Sequence, residues 1–448
     1  MLLSNMLKPA AFLLALSAIP ATAQQTSQLL DADMPALLDT YKDLHRNPEL
    51  SHHEAHTSAL LATDLRKLGY DVTERIGKYA DGSQAYGIVA IMKNGDGPRL
   101  LVRSDMDALP VEEKTGLEYS SHVHSTNAEG ADVSVMHACG HDIHMTVLLG
   151  FAKMMAEQKS QWHGTLMLVG QPSEETIDGA HAMLADHLYE RFGKPDMILS
   201  EHDASDYAAG TIAIKPGPLA ASSTSIDVVM RGKGGHGAAP EVSKDPIVMA
   251  AEFVLEMQTI VSRQISPQQP AVITVGQIHG GTKRNIIPDE VRMGLTMRAY
   301  DEATRLKMID DIRRIANGIA IGYGVPEDRM PIVEVSKTEI TPATLNDPAL
   351  EERLHAFAVK ALGAENVKDA EAFMGSEDVG QFRLNDTIPG VMFMVGASDP
   401  VKLEAATKAG TRLPGPHSAI FAPVPEPTIR TGVTAMTAMA MGLLQPAS

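Results

Sequence analysis

Residues 100–107 read Leu100-Leu101-Val102-Arg103-Ser104-Asp105-Met106-Asp107, an apolar run that ends in carboxylates. A short continuous apolar run is the pattern of a strand buried on both faces. Two further runs repeat it. Thr165–Gly170 leads into Gln171-Pro172-Ser173-Glu174-Glu175, and Met197–Ser200 leads into Glu201-His202-Asp203. Val391–Val395 is a fourth buried run. Helical periods alternate with them, near 33–46 and 53–69 and then from Asp142 to Gln158. In the last of these Ile143, Val147, Phe151, Met154 and Met155 form one stripe. Strands alternating with helices predict an α/β fold, a mixed sheet flanked by helices. Open α/β sheets bind ligands beyond the carboxyl ends of their strands. The three polar strand ends are therefore expected to converge on one cleft.

Outward from this core the rhythm changes over 218–335. Strand 222–231 alternates Ile226, Val228 and Met230, and Asp245-Pro246 opens a helix with an Asp cap and Pro in the first turn. Strands follow at 271–279 and 290–299. Asp301 caps a helix reaching about Ile321, and Pro331–Val335 closes the set. The order βαββαβ describes a two-layer unit inserted into the larger one. The expected division is 24–217 with 336–448 as one domain and 218–335 as the insert, with a last helix near 426–444.

Residues 1–23 read as a secretory leader: Lys8, a mostly apolar run from Ala10 to Ile19, then Ala21-Thr22-Ala23. Cleavage is expected after Ala23, giving a secreted or periplasmic protein. The run is too short to span a bilayer, which takes roughly 20 apolar residues, and no other stretch is long enough. Over all 448 residues, 44 % are hydrophobic and 21 % charged, ordinary globular values. The net charge of −18 argues against a nucleic-acid partner. A single Cys excludes a disulfide framework and leaves that thiol as either a buried structural group or a metal ligand.

That Cys lies in Met136-His137-Ala138-Cys139-Gly140-His141-Asp142-Ile143-His144. Thiolate, imidazole and carboxylate so close together suit zinc or a neighbouring transition ion. The alternative is a buried thiol beside helix-capping His. The Glu174-Glu175 pair suggests that one carboxylate binds metal while the other moves protons. Other motifs fail on context. Gly232–Gly237 fits G-x-G-x-x-G, but Pro240 follows and no helix opens. His52-His53-Glu54-Ala55-His56 lacks the zincin spacing, so these His read as solvated helix residues. There is no Walker A loop and no G-x-S-x-G elbow.

With LHRNPELS (44–51), RSDMDALPVEE (103–113), MHACGHDIHMTVLLG (136–150), QPSEET (171–176), GKGGHGAAP (232–240), NIIPD (285–289), GSEDVGQF (375–382) and PHSAIF (416–421), the chain resembles the aminoacylase/carboxypeptidase family of dinuclear metallohydrolases. It is most similar to the subgroup of hippurate and indole-acetyl-amino-acid hydrolases. The resemblance implies a zinc-peptidase-like catalytic domain with the insert as lid or dimerisation domain. It also implies two divalent ions, Mn(II) or Zn(II), held by Cys139, His141, Glu175, His202 and His417. Glu174 matches the family's base and His236 its oxyanion donor. Asn285 and Arg298 match the holders of the substrate carboxylate, and Asp107 an acidic residue behind the metal ligands. The subgroup usually has Gly-Leu where this chain has Ser200-Glu201, and Asp203 is also unusual.

The expected function is amide hydrolysis of small N-acyl amino acids, with a dipeptidase or carboxypeptidase as the alternative. A metal carrier without catalysis is a third reading, against which a proton-moving Glu174 stands. Members of the family commonly dimerise through the insert's sheet edge or helices, and the sequence leaves the oligomeric state, homodimer included, open.

Overall fold

A computed structural model describes residues 21–445. The expected leader lies outside the described residues except for its last three, which fall in the helix Ala21–Arg46. The central sheet has eight strands in the order Asp71–Lys78, Gln84–Asn94, Gly164–Gln171, Arg99–Asp105, Met197–Ala208, Gly390–Ser398, Ile212–Ile214, Val367–Asp369. Its middle is parallel. Arg99–Asp105 pairs in parallel with Gly164–Gln171 on one side and Met197–Ala208 on the other. An antiparallel hairpin, Asp71–Lys78 with Gln84–Asn94, extends one edge, so the sheet is mixed.

The apolar runs are continuous because both faces are covered. Leu100, Val102, Leu166, Leu168, Leu199 and Phe393 pack into one core with helices Ala21–Arg46, His141–Glu157 and Pro425–Leu443. Their neighbours Leu101, Met167, Val169, Ile198 and Met392 point the other way, into a second core with Ala180, Met183 and Leu188. Truncating fully buried Phe393 to Ala would cost about 3–5 kcal/mol, the lost transfer energy plus the cavity.

The insert forms a separate antiparallel sheet, ordered Ala271–Gly280, Glu290–Ala299, Ser223–Arg231, Ile332–Thr341. Helices Pro246–Thr259 and Glu302–Gly322 cover one face, with Ile226, Val228, Met230, Phe253, Met293, Leu295, Met308 and Ile312 between the layers. Asp245 accepts from the N–H of Ile247 at 2.9 Å, and Asp301 from that of Thr304 at 2.8 Å, so both helix starts are capped as their residues demand. No helix among the described residues is long and apolar enough to cross a membrane.

Two local expectations are corrected. The strand beginning at Met197 does not stop at Ser200 but runs to Ala208. Parallel pairing of Gly390–Gly396 with Ile198–Ala204 draws Glu201, His202 and Asp203 into the ladder, although Asp and, less strongly, Glu are depleted in strands. His52 and His53 precede the helix Ala55–Lys67 rather than lying in it. His52 takes a left-handed turn (φ 68°), and its ring stacks on Tyr79 at 4.0 Å between centroids.

Candidate metal centre

The carboxyl ends of the parallel strands do converge. Cys139 precedes Gly140, whose left-handed backbone (φ 79°) turns the chain into the helix His141–Glu157. A Cβ at Gly140 would lie 2.4 Å from a carboxylate oxygen of Asp203, so only glycine fits the turn. This turn brings Cys139 and the first helical residue, His141, to the top of the sheet. From the middle of its strand His202 reaches over, its Nε2 3.6 Å from the Cys139 sulfur. Glu175 follows the end of Gly164–Gln171. His417 arrives from the far end of the chain, its Nε2 3.4 Å from Oε2 of Glu175. Donor atoms of Cys139, His141 and His202 lie within 4.8 Å of one another, as do those of Cys139, Glu175 and His417. The two groups share Cys139.

The donors fit cations. His141 Nδ1 donates to the carbonyl of Asp107 at 2.7 Å, and His202 Nδ1 to the carbonyl of Asp203 at 2.7 Å. That fixes the tautomers and frees each Nε2 lone pair toward the cluster, as metal-ligating imidazoles require. Nε2 of His141 and Oε1 of Glu175 are buried with no hydrogen-bond partner among the described residues. Such groups are costly to leave unmatched, and a cation would match both. Charge points the same way. Asp105, Asp107, Glu174, Glu201 and Asp203 are all buried here, while the buried guanidinium of Arg103 is engaged by Asp105, Glu377 and Asp378.

The protonation states reflect this surplus. Burial pushes the Cys139 thiol well up, and Glu175 and Glu174 reinforce it. Burial also raises Glu175 to about 7. Glu174 stands well above the carboxylate range, through burial and then the charges of Glu377 and Glu175. For His141 burial favours the neutral ring, but Asp105 and the hydrogen bond to Asp107 outweigh it and bring it to about 10. To hold a cation, the Cys139 thiol, the Glu175 carboxyl and the His141 imidazolium would each have to be deprotonated.

Asp107 is placed behind this centre. Besides facing His141, its two oxygens accept from the backbone N–H groups of Glu174 and Glu175, both at 3.0 Å. Glu174 Oε2 lies 3.9 Å from Nε2 of His141, beside the donors. His144 sits between Asp105 (2.6 Å) and Asp203 (3.2 Å). Asp142, grouped by sequence with the ligand candidates, turns away to His45 at 2.6 Å. The unusual Glu201 is buried, pushed to about 7 by that burial.

The insert's three residues are not among these donors. His236 and Asn285 are exposed and are brought together by a two-residue ladder, Gly235–His236 with Ile286–Ile287. Arg298 is half-buried and donates to Ser376 Oγ, in the loop between the strand Val367–Asp369 and the turn Asp378–Arg383.

Fold and donor set together define a metal-binding α/β hydrolase. The chain belongs to Peptidase family M20/M25/M40, whose model matches residues 101–409. It is a hydrolase acting on amide bonds, as that family is. It is 36% identical over 341 residues to a hippurate hydrolase of Campylobacter jejuni, covering 76% of this chain and 82% of that one. With thermostable carboxypeptidase 2 of Saccharolobus solfataricus it is 36% identical over 370 residues, 82% of this chain and 87% of the other. Among solved structures it is similar to the YXEP protein of Bacillus subtilis, described as a dinuclear metal-binding peptidase of family M20. The TM-score is 0.72 at 27% identity, over 92% of this chain and 98% of that one.

Glu54 and Arg103 carry no clear signal in the sequence. Glu54 stands among His residues at a spacing that fits no motif. Arg103 stood inside an apolar strand, where a buried cation announces itself only by needing partners.

Proposed function

We propose that the chain is an exported metal-dependent amidohydrolase that cleaves N-acyl amino acids to a carboxylic acid and a free amino acid. It would use two divalent cations held by Cys139, His141, Glu175, His202 and His417. The observation that carries the reading is Glu174, a buried carboxylate beside the donors, on the same loop as Glu175. Bound cations supply Lewis acidity, acidifying water and polarising the amide carbonyl. Glu174 takes the proton of the attacking water and passes it to the departing amine nitrogen. His236 donates to the oxyanion as the carbonyl carbon becomes tetrahedral. Asn285 and Arg298 hold the substrate carboxylate. These three act from the insert, so catalysis requires the insert to close on the cleft.

Ligand softness favours Zn(II), with Mn(II) the alternative that the subgroup resemblance supports. Export rests on Lys8, the apolar run to Ile19 and Ala21-Thr22-Ala23. A second copy would dock on the insert, where Ala271–Gly280 is an edge strand and Val272, Ile278 and Leu255 are exposed.

The second reading, a dipeptidase or carboxypeptidase, draws on the carboxypeptidase relative. It would need a carboxylate to receive the substrate's free amine. Glu201 and Asp203 are only 3 % and 0 % exposed, and Asp203 is engaged by His144, which supports the acyl reading instead. The test is amine release from acetyl-, benzoyl- and indole-acetyl-amino acids and from plain dipeptides, with Mn²⁺ and Zn²⁺ supplied separately. Chelator-sensitive cleavage of the acylated set supports the proposal. Cleavage of dipeptides alone overturns it in favour of the second reading.

A further inference from the structure

One buried carboxylate near the centre has no part in the mechanism above. Glu54 is fully buried just ahead of the helix Ala55–Lys67. Its Oε1 accepts from the N–H of Ser173 at 2.8 Å, the hydroxyl of Ser173 at 3.0 Å and the N–H of His52 at 3.1 Å. Since Ser173 gives its only hydroxyl proton to Glu54, its oxygen is left to accept from Tyr79 at 2.5 Å and from the N–H of His52 at 2.9 Å. Ser173 itself has φ 54°, a left-handed conformation that a residue with a side chain disfavours. Immediately after it, the N–H groups of Glu174 and Glu175 point into Asp107.

Three consecutive N–H groups, of residues 173, 174 and 175, are thus received by two buried carboxylates, the first by Glu54 and the next two by Asp107. None of the three is used in a helix or strand; on the carbonyl side the loop is closed by the N–H of Ile177, which donates to the carbonyl of Glu174 at 2.7 Å, and that of Gly179, which donates to the carbonyl of Ser173 at 3.1 Å. Further along, Thr176 donates to Asp178 at 2.7 Å, and Asp178 meets His52 at 3.1 Å. His52 in turn stacks on Tyr79.

We propose that Glu54 is a positioning residue for the reaction: it holds Ser173 in its left-handed turn and thereby aims the carboxylate of Glu174 at the reacting centre. Asp107 holds the next two residues of the same loop by their N–H groups. This rests on Glu174 being the base. A base displaced by an ångström loses rate without losing substrate affinity, a cost on the order of 10²-fold in favourable cases.

The experiment uses the whole mature protein and the N-acyl amino acid it turns over fastest. Glu54→Ala, Glu54→Gln, Tyr79→Phe and Glu174→Gln are compared for kcat, KM, thermal midpoint and metal content by atomic emission. Glu54→Ala should lower kcat by on the order of 10²-fold, with KM and metal content close to wild type. Glu54→Gln, which keeps an acceptor oxygen in place, should recover most of that loss. Tyr79→Phe should lower kcat by a smaller factor. Wild-type kcat in Glu54→Ala overturns the proposal, as does a loss confined to KM or metal content. So does a Glu54→Gln no better than the alanine variant. Should Glu54→Ala not fold, Tyr79→Phe decides, and wild-type kcat there overturns the proposal. Full turnover by Glu174→Gln is a separate failure: it removes the assigned base and leaves Glu54 nothing to aim.

Discussion

The backbone N–H of His417 donates to the carbonyl of Ala138 at 2.7 Å, fastening the loop after Pro416 to the residue before Cys139. His417 takes φ 68° there, and its imidazole turns to Glu175. One backbone bond thus completes the second donor group, which shares only Cys139 with the first.

This division predicts unequal effects on metal content. His417→Ala should reduce bound metal from two ions to one, because Cys139, His141 and His202 remain. His202→Ala should do the same from the other side. Cys139→Ala should weaken both sites. Atomic emission on dialysed protein measures this, and two tightly bound ions in Cys139→Ala would remove the shared role of the thiolate.

Loading the stripped protein should release protons. At pH 7 the Cys139 thiol, held well above its usual range, and His141, at about 10, both carry one, and Glu175, at about 7, is partly protonated. All three must lose them to bind a cation, so roughly two to three protons should leave. Calorimetry in buffers of different ionisation enthalpy counts them. Cys139→Ser should release about one fewer, and a count unchanged by that substitution would exclude the thiolate as a donor.

His45 predicts how stability responds to pH. Burial disfavours its charge, but hydrogen bonds to Asp142 and Glu113 outweigh that and raise it to about 9. The unfolded value is near 6.5. The stabilisation, on the order of 3 kcal/mol, is therefore complete below about pH 6.5 and is lost as pH rises through 9. The same bonds hold Asp142 and Glu113 below their usual ranges against the opposing effect of burial, so their share is lost on acidification. The thermal midpoint should fall across the alkaline window, and His45→Gln should flatten that fall. An equally steep fall in His45→Gln would assign it to other groups.

Much of this was legible in the chain itself. The buried runs at Leu100, Thr165 and Val391 sit in the sheet where their continuous apolarity implied, because both faces are covered. Cys139, His141, Glu175, His202 and His417 are brought together. What escaped was set by partners distant in sequence. The extension of the Met197 strand to Ala208 depends on pairing with Gly390–Gly396, which no local propensity could reveal. The adjacency of His236 and Asn285 comes from a two-residue ladder too short to leave a period. Burial of Glu54 follows from how residues 52–54 meet the loop at Ser173.

The central claim is that Glu174 moves the proton while its neighbour Glu175 holds metal. Glu174→Gln isolates it. The variant should keep the wild-type metal content, measured by atomic emission, and lose on the order of 10²–10⁴-fold in kcat on N-acyl amino acids. Undiminished turnover with metal intact would contradict the account.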